Sequence, residues 1–238
     1  MNYDSVPLRD FKELNDWETV IFVYQSALKQ IETKINILNG EFQHRHKYNP
    51  IEHVKSRIKT PESIVKKLKR HGYESSIENM VRYVNDIAGI RISCSFTSDI
   101  YLIADMISKQ NDLTILARRD YMKNPKKSGY RSYHMLVTTP VFLSDSIIDT
   151  KVEIQIRTVA QDFWATLEHK MHYKFEGDGP DYITKELREC ARYVAELDAR
   201  MEELNNEIQK YGKKKSSIKR GVPRQWFTGA IIMKKIYV

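Results

Sequence analysis

The chain has few of the features that mark secreted or membrane-spanning proteins. Its 238 residues include two cysteines, Cys94 and Cys190, which provide neither a disulfide framework nor a CxxC metal pair. No apolar run approaches the ~20 residues that a membrane span needs. The first residues do not form a basic segment followed by an apolar one, as a secretory signal does. We therefore expect reduced thiols and a cytosolic protein.

The motifs of common nucleotide and metal sites are also missing. The sequence contains neither the GxxxxGK(S/T) of a P-loop nor the GxGxxG of a Rossmann fold. His169 and His172 are three residues apart, so on a helix both could bind one metal ion. No third ligand can be identified from the spacing of the other residues. Whether these two histidines bind a metal stays open at this point.

Positive charge is unevenly distributed along the chain. The formal net charge is +8, and residues 213–238 carry eight basic side chains and no acidic one. Residues 1–212 therefore contain 31 basic and 31 acidic side chains, with basic residues concentrated at 55–71 and 118–131. Two cationic segments in a neutral body indicate a pocket for small polyanions rather than a long groove for duplex nucleic acid.

Hydrophobic periodicity predicts two long helices around a mixed middle. Apolar residues recur at alternating steps of three and four across 17–42 and across 187–211. Such helices either pack on the domain or form coiled-coil contacts between subunits. Between them we expect strands at 90–96, 113–121, 131–143 and 151–158, and helices at 61–71, 100–110 and 159–174. Because strands and helices do not alternate strictly, the fold class is predicted to be α+β with a mixed β-sheet.

The helix predicted at 159–174 is amphipathic. Its inner side is expected to carry Ala160, Phe163, Trp164, Leu167 and Met171.

A short basic helix is expected from Pro61, with Thr60 as its N-cap. Helical spacing places Ser63, Lys67 and Arg70 on one face. A hydroxyl, two cations and a helix N-terminus can cradle a polyphosphate. An ordinary solvated basic face explains the same pattern.

The segment 151–157 alternates between an apolar face and a polar face. Its polar face carries Lys151, Glu153, Gln155 and Arg157. Polar faces are ordinary on half-solvated strands. A carboxylate, an amide and a guanidinium in register can equally line a nucleotide site, where Glu153 can bind Mg²⁺ and accept a proton from a hydroxyl nucleophile.

Two further segments carry polar groups suited to a ligand. Asp86 stands just before the strand predicted at 90–96. The loop 126–131 combines cations with a glycine turn and with Tyr130, whose ring can stack on a base. Each segment is weak evidence when it is taken alone.

Five segments taken in order resemble the synthetase domain of RelA/SpoT-type alarmone synthetases. They are SRIK at 56–59, DIAGIR at 86–91, SGYRSYH at 128–134, VEIQIRT at 152–158 and FWATLEH at 163–169. The resemblance covers roughly residues 15–210, and the length is similar to that of the small, stand-alone bacterial synthetases. NPIEH at 49–53 and the connection at 72–85 look closer to the RelP-like branch than to the RelQ-like one.

The resemblance implies a nucleotidyltransferase-like fold that transfers pyrophosphate from ATP to the 3′-hydroxyl of GDP or GTP, with Mg²⁺ as cofactor. It assigns both catalysis and metal binding to Asp86 and Glu153. The residues implied for ATP are Arg57, Lys59, Ser63, Lys67, Arg70 and Arg91. The residues implied for the acceptor nucleotide are Arg119, Lys126, Tyr130, His134, Gln155, Asp162 and Glu168. Some relatives carry Asn at the position of Asp162.

The resemblance also implies an organisation and leaves alternatives open. We expect an N-terminal helical extension at 1–48, the synthetase domain at 49–178, a C-terminal helix at 179–212 and a basic tail of unknown role at 213–238. The sequence lacks the His-Asp pair of the family's hydrolase domain, so we expect synthesis without hydrolysis. A homo-oligomer, namely a tetramer, is expected. Pyrophosphate transfer to the 3′-end of tRNA and an inactive nucleotide- or RNA-binding module are the alternatives.

Overall fold

The computed structural model describes residues 16–174 and 180–220. It contains, in chain order, α1 (Trp17–His46), β1 (Ile51–Ile58), α2 (Pro61–Arg70), α3 (Ile77–Tyr83), β2 (Ala88–Cys94), α4 (Thr97–Ser108), β3 (Thr114–Asp120), β4 (Tyr133–Phe142), β5 (Ile147–Thr158), α5 (Val159–Lys174) and α6 (Asp181–Arg220). The α+β class is confirmed. None of the described helices is long and apolar enough to cross a membrane.

The five strands form one mixed sheet in the order β1-β2-β5-β4-β3. β2 and β5 run parallel, whereas the other three neighbouring pairs are antiparallel. β5 therefore lies at the centre of the sheet. Its polar face is largely buried rather than half-solvated, and Lys151 and Arg157 are 5% and 2% exposed.

The long helix α1 packs against the sheet and contributes to its core. Asp16 caps the helix by accepting a hydrogen bond from the Thr19 amide at 2.7 Å. The buried residues on α1 are Val20, Val23, Tyr24, Ala27, Leu28, Ile31 and Ile35. They belong to the same hydrophobic cluster as the apolar residues of the strands. The helix predicted from periodicity is confirmed, and the structure makes it part of the folded core.

Two elements were missed by the sequence analysis. β1 is an edge strand with five polar or charged residues out of eight, so its sequence lacks a clear apolar period. α3 has seven residues and begins after Ser76, whose hydroxyl accepts from the Asn79 amide at 3.1 Å. Both elements are too short or too polar for periodicity to reveal them.

The prediction for the inner side of α5 was partly wrong. Phe163 and Leu167 are 65% and 38% exposed, while Gln161, Trp164 and Ala165 are buried. The orientation of α5 is fixed by polar contacts with α6. The Trp164 indole donates to the Leu187 carbonyl at 2.9 Å. Buried hydrogen bonds, rather than the apolar stripe, set the face that α5 presents to the core.

The last helix is longer than predicted. One compact unit of the chain ends at Asp198, and a second unit begins at Ala199. In the first unit, the Asp198 carboxylate accepts hydrogen bonds from Thr158 at 2.7 Å and from Gln161 at 2.8 Å. The helix continues to Arg220, so residues 213–220, which were expected to belong to the basic tail, are helical. Residues 221–238 lie outside the described part.

Candidate active site

A polar stripe crosses the whole sheet. One row of paired residues runs through all five strands: Lys55, Arg91, Gln155, His134 and Arg119. A second row, two residues away, contains Arg57, Gly89, Glu153, Leu136 and Ala117. Side chains two apart on a strand share a face. The register therefore gathers residues distant in sequence onto one surface.

Two adjacent pockets open on this surface and share Asp86 and Glu153. We name the first the Arg57 pocket, and its lining includes Arg57, Asp86, Arg91, Glu153 and Gln155. We name the second the Arg119 pocket, and its lining includes Lys67, Asp86, Arg119, His134 and Glu153. Two carboxylates at the boundary of two cationic pockets can bring together two anionic ligands.

Asp86 is held by two lysines. The Lys59 ammonium lies 2.9 Å from one oxygen of the carboxylate, and the Lys67 ammonium lies 2.7 Å from the other. Burial raises the pKa of Asp86, but the hydrogen bonds and charges of Lys67 and Lys59 outweigh it and leave the pKa below its ordinary value. The carboxylate is therefore ionised at neutral pH.

Glu153 is also held as a carboxylate. The Gln155 amide donates to one of its oxygens at 2.8 Å, and His134 Nδ1 lies 3.5 Å from the other. Burial raises the pKa of Glu153, but His134 and Gln155 outweigh it, so the pKa is lower than usual. An ionised, partly buried carboxylate is a suitable acceptor for a hydroxyl proton.

His134 links Glu153 to the loop before β4. Its Nε2 lies 2.9 Å from the Tyr130 hydroxyl. The Lys126 ammonium lies 4.7 Å from the centroid of the Tyr130 ring, a cation–π distance. Burial raises the pKa of Tyr130, so its hydroxyl stays protonated. Lys126 and Tyr130 thus stand beside the Arg119 pocket without lining it.

Gly129 allows this loop to pack against α6. Its φ is +90°, in the region that favours glycine. A Cβ at this position would lie 2.5 Å from the Cβ of Ala191. Tyr130 packs on a small cluster formed by Trp164, Ala165 and Ala191. The predicted glycine turn is confirmed, and its position is fixed by a helix far along the chain.

Besides Lys126 and Tyr130, five predicted site residues line neither pocket: Lys59, Ser63, Arg70, Asp162 and Glu168. Ser63 and Arg70 are exposed on α2, whose predicted N-cap and first residue are confirmed. Glu168 is partly buried on α5. Asp162, which the resemblance assigns to the acceptor, lies 3.5 Å from Arg91 in an ion pair.

Arg157 was expected on the polar face of β5, but it was not assigned to either substrate. Arg157 is 2% exposed, and its Nη2 lies 2.8 Å from Asp162 Oδ1. The signal was its place on the polar face of β5, in line with Glu153 and Gln155. The pattern did not reveal that α5 would cover this end of the strand.

The donor set at the pocket boundary fits Mg²⁺. Asp86 and Glu153 offer ionised oxygens, and Mg²⁺ commonly takes one or two carboxylates together with substrate phosphates. Within the described residues no group of three or more His, Cys, Asp and Glu side chains could hold a metal by itself. The His172 side chain lies outside the described part, so a metal pair with His169 stays untested.

The sequence matches characterised proteins over most of its length. Residues 56–178 match a family described as "Region found in RelA / SpoT proteins". The chain is 45% identical over 195 residues to the GTP pyrophosphokinase YwaC of Bacillus subtilis, covering 82% of this chain and 93% of that protein. It is 34% identical over 209 residues to the GTP pyrophosphokinase YjbM of the same bacterium, covering 88% and 98%.

A solved structure shares the fold. The small alarmone synthetase 1 from Bacillus subtilis, bound to its product pppGpp, matches with a TM-score of 0.76 at 34% identity. The match covers 81% of this chain and 98% of that one. The family match spans every residue predicted for the site, from Arg57 to Glu168.

Proposed function

Because the chain belongs to the RelA/SpoT family, we propose that it transfers a pyrophosphate group from ATP to the 3′-hydroxyl of GDP or GTP. The products are AMP and (p)ppGpp, the alarmone of the bacterial stringent response. The observation that carries the proposal is the meeting of the Arg57 and Arg119 pockets at Asp86 and Glu153. Nucleotides in the two pockets place a donor phosphate and an acceptor hydroxyl beside the same carboxylates.

The Arg57 pocket suits the donor. Arg57 and Arg91 present two guanidinium planes, which stack well on a purine base. Lys59 and Lys67 stand at the pocket boundary, where they can exchange Asp86 for phosphate oxygens. Arg70 extends the positive charge along α2, and Ser63 adds a hydroxyl on the same helix.

The Arg119 pocket suits the acceptor. Arg119 and His134 can contact phosphates, and Lys126 adds charge at the rim. Tyr130 can stack on guanine. The family resemblance assigns Gln155, Asp162 and Glu168 to the nucleoside, which Gln155 would reach from the lining of the Arg57 pocket. The 3′-hydroxyl then faces Glu153.

The transfer is an in-line attack by the 3′-oxygen on the β-phosphorus of ATP. The new bond joins the 3′-oxygen to that phosphorus, the bond to the α-phosphate oxygen breaks, and AMP leaves. Glu153 accepts the hydroxyl proton. Mg²⁺, held by Asp86 and Glu153, would neutralise charge on the phosphates. Because phosphoryl transfer depends mainly on positioning and charge neutralisation, a weakly basic carboxylate is sufficient.

We also propose a cytosolic homo-oligomer, with a tetramer as the expected state. Leu197 is 55% exposed, and Leu204, in the other compact unit of the chain, is 42% exposed. Exposed apolar residues at helical spacing are typical of helix–helix contacts. Light scattering of the unmodified protein should show an oligomer at micromolar concentration. A well-folded monomer would exclude this assembly.

The experiment that tests the function is incubation with labelled ATP and one acceptor at a time: GDP, GTP, GMP or tRNA. Transfer of label to GDP or GTP with release of AMP is the expected result. The basic tail is the observation that favours tRNA as an alternative. A protein lacking 213–238 should keep its activity on GDP or GTP within a few-fold. Salt-sensitive labelling of tRNA that disappears with the tail, without alarmone synthesis, would reject the proposal.

A further inference from the structure

Arg157 is a buried cation that the proposed transfer does not use. It lies near the end of β5 and is 2% exposed. Burying a guanidinium is costly unless it is paired. The nearest opposite charge is Asp162 on α5, at 2.8 Å. A fully buried arginine beside a nucleotide site therefore needs an explanation.

Arg157 shares its partner with Arg91. Asp162 Oδ1 lies 2.8 Å from Arg157 Nη2 and 3.5 Å from Arg91 Nη1. Among the described residues, this oxygen makes no geometrically good hydrogen bond, and neither do Nε of Arg91 nor Nε and Nη2 of Arg157. Two cations therefore compete for one carboxylate oxygen, and the local charge is net positive. A ligand that contacts one guanidinium therefore changes how strongly Asp162 holds the other.

The cluster touches the residues assigned to both substrates. Arg91 lines the Arg57 pocket. On the other side, the Arg157 guanidinium carbon lies 6.0 Å from the centroid of the Tyr130 ring. The Tyr130 hydroxyl contacts His134, which lines the Arg119 pocket. A continuous path of contacts thus joins the two pockets behind Glu153.

We propose that Arg157 is a positioning residue that couples the two nucleotide pockets. Through Asp162 it orients Arg91 on the donor side, and directly it supports Tyr130 on the acceptor side. When Arg91 holds the donor base, it also fixes the position of the Asp162 carboxylate that it shares with Arg157. Arg157 is thereby held beside the Tyr130 ring. Each nucleotide therefore binds more tightly when the other is present. The proposal rests on the proposed function, because that function assigns the two pockets.

The test is a measurement of binding rather than turnover. The α,β-methylene analogue of ATP cannot transfer its pyrophosphate, so calorimetry can measure its affinity with and without saturating GDP in the presence of Mg²⁺. In the unmodified protein, GDP should tighten analogue binding by at least about fivefold. In Arg157→Lys, which keeps the charge but loses the planar fork, the effect of GDP should fall below about twofold.

Two further variants make the test specific. Asp162→Asn should lose the coupling as well, and the double variant should lose no more than either single one, since both act on one contact. Arg131→Lys is the matched control. Arg131 follows Tyr130 in sequence, but its guanidinium donates to the Met122 carbonyl at 2.6 Å and is not part of the Asp162 contact. Its coupling should equal that of the unmodified protein.

The outcomes separate this inference from the function. An unmodified protein that synthesises alarmone but shows no coupling would overturn the inference alone. Unchanged coupling in Arg157→Lys, or equal loss in Arg131→Lys, would overturn it too. If Arg157→Lys does not fold, as judged by its thermal transition, Asp162→Asn tests the same contact. A failure of synthesis by the unmodified protein would reject the proposed function instead.

Discussion

The Lys67 ammonium lies 2.7 Å from an oxygen of Asp86, at the boundary of the two pockets. The cation expected to hold ATP phosphates is thus paired with the carboxylate expected to hold Mg²⁺. Lys59 makes the same kind of contact at 2.9 Å. When ATP binds, the lysines are expected to exchange their ion pairs with Asp86 for ion pairs with the phosphates. Before ATP binds, Asp86 supplies the counter-charge for both lysines.

Asp86→Asn removes this counter-charge. We expect synthesis to fall at least ~10²-fold, because a metal ligand and a positioning group are lost together. Binding of the methylene analogue in EDTA should be as tight as before or tighter, since the lysines no longer exchange partners. Turnover assays and calorimetry measure the two effects. Activity above a tenth of the unmodified level would contradict the role of Asp86.

Glu153→Gln should abolish transfer and leave donor binding nearly intact. The change keeps the shape of the side chain but removes the proton acceptor, which typically costs ~10²–10⁴-fold in rate. Single-turnover kinetics with GDP measure the loss. Glu52→Gln is the control, because Glu52 is exposed on β1 and lines neither pocket. Comparable losses in both variants would argue against a special role for Glu153.

Gly129→Ala should displace the Tyr130 loop. The substitution strains a backbone with φ of +90° and brings a Cβ to 2.5 Å from Ala191. Gly72→Ala is a matched control, because its φ is +77° and its Cβ would meet no atom within 4 Å. We expect a loss of unfolding free energy of about 1–2 kcal/mol at Gly72 and about 1–3 kcal/mol more at Gly129.

The steric part of the Gly129 effect can be isolated. Ala191→Gly in the Gly129→Ala background should restore most of the additional loss, while the backbone strain remains. The Michaelis constant for GDP should rise in Gly129→Ala and recover in the double variant. Urea unfolding and steady-state kinetics check both points. Equal losses at Gly72 and Gly129 would show that Ala191 does not constrain the loop.

Lys151 makes stability depend on pH. Its ammonium donates to Asn85 Oδ1 at 2.8 Å and to the Arg82 carbonyl at 3.1 Å, and burial lowers its pKa to about 8. Between about 8 and the ordinary lysine value of 10.5, the unfolded chain holds a proton that the folded chain has released. The folded state therefore gains stability as pH rises through this interval.

The comparison with Lys151→Met measures this gain. Relative to the variant, the unmodified protein should gain about 1–2 kcal/mol of unfolding free energy between pH 7.5 and 9.5. Lys29→Met, which removes an exposed lysine of α1, should show no such trend. A difference that does not change with pH would mean that Lys151 keeps its ordinary pKa in the folded protein.

The sequence predicted the parts of the fold that have strong periodicity. α1, β2, α4 and β5 were placed within a few residues, because their apolar residues repeat regularly. β1 and α3 were missed, since one is polar and the other is seven residues long. The exposed position of Phe163 could not be predicted either, because a tertiary hydrogen bond turns α5 and the helical period alone does not.

The candidate site was likewise predicted only in part from the sequence. Asp86 and Glu153 were found from their position in or before a strand and from the family resemblance. The pairing of β2 with β5, which places Gly89 beside Glu153 and so brings Glu153 close to Asp86, depends on strand order, which no local pattern contains. The partnership of Asp162 with Arg157 depends on how α5 follows β5, and neither the residue types nor the family resemblance predicted it.

The parallel pairing of β2 with β5 determines when during folding the two pockets form. Gly89 pairs with Glu153, and the intervening chain must first supply α4, β3 and β4. Closing so long a loop carries a large entropic cost, and such non-local contacts form slowly. A chain that has emerged from the ribosome only as far as β4 lacks Glu153 and therefore lacks both pockets. Neither pocket can form until β5, which ends at Thr158, has been added.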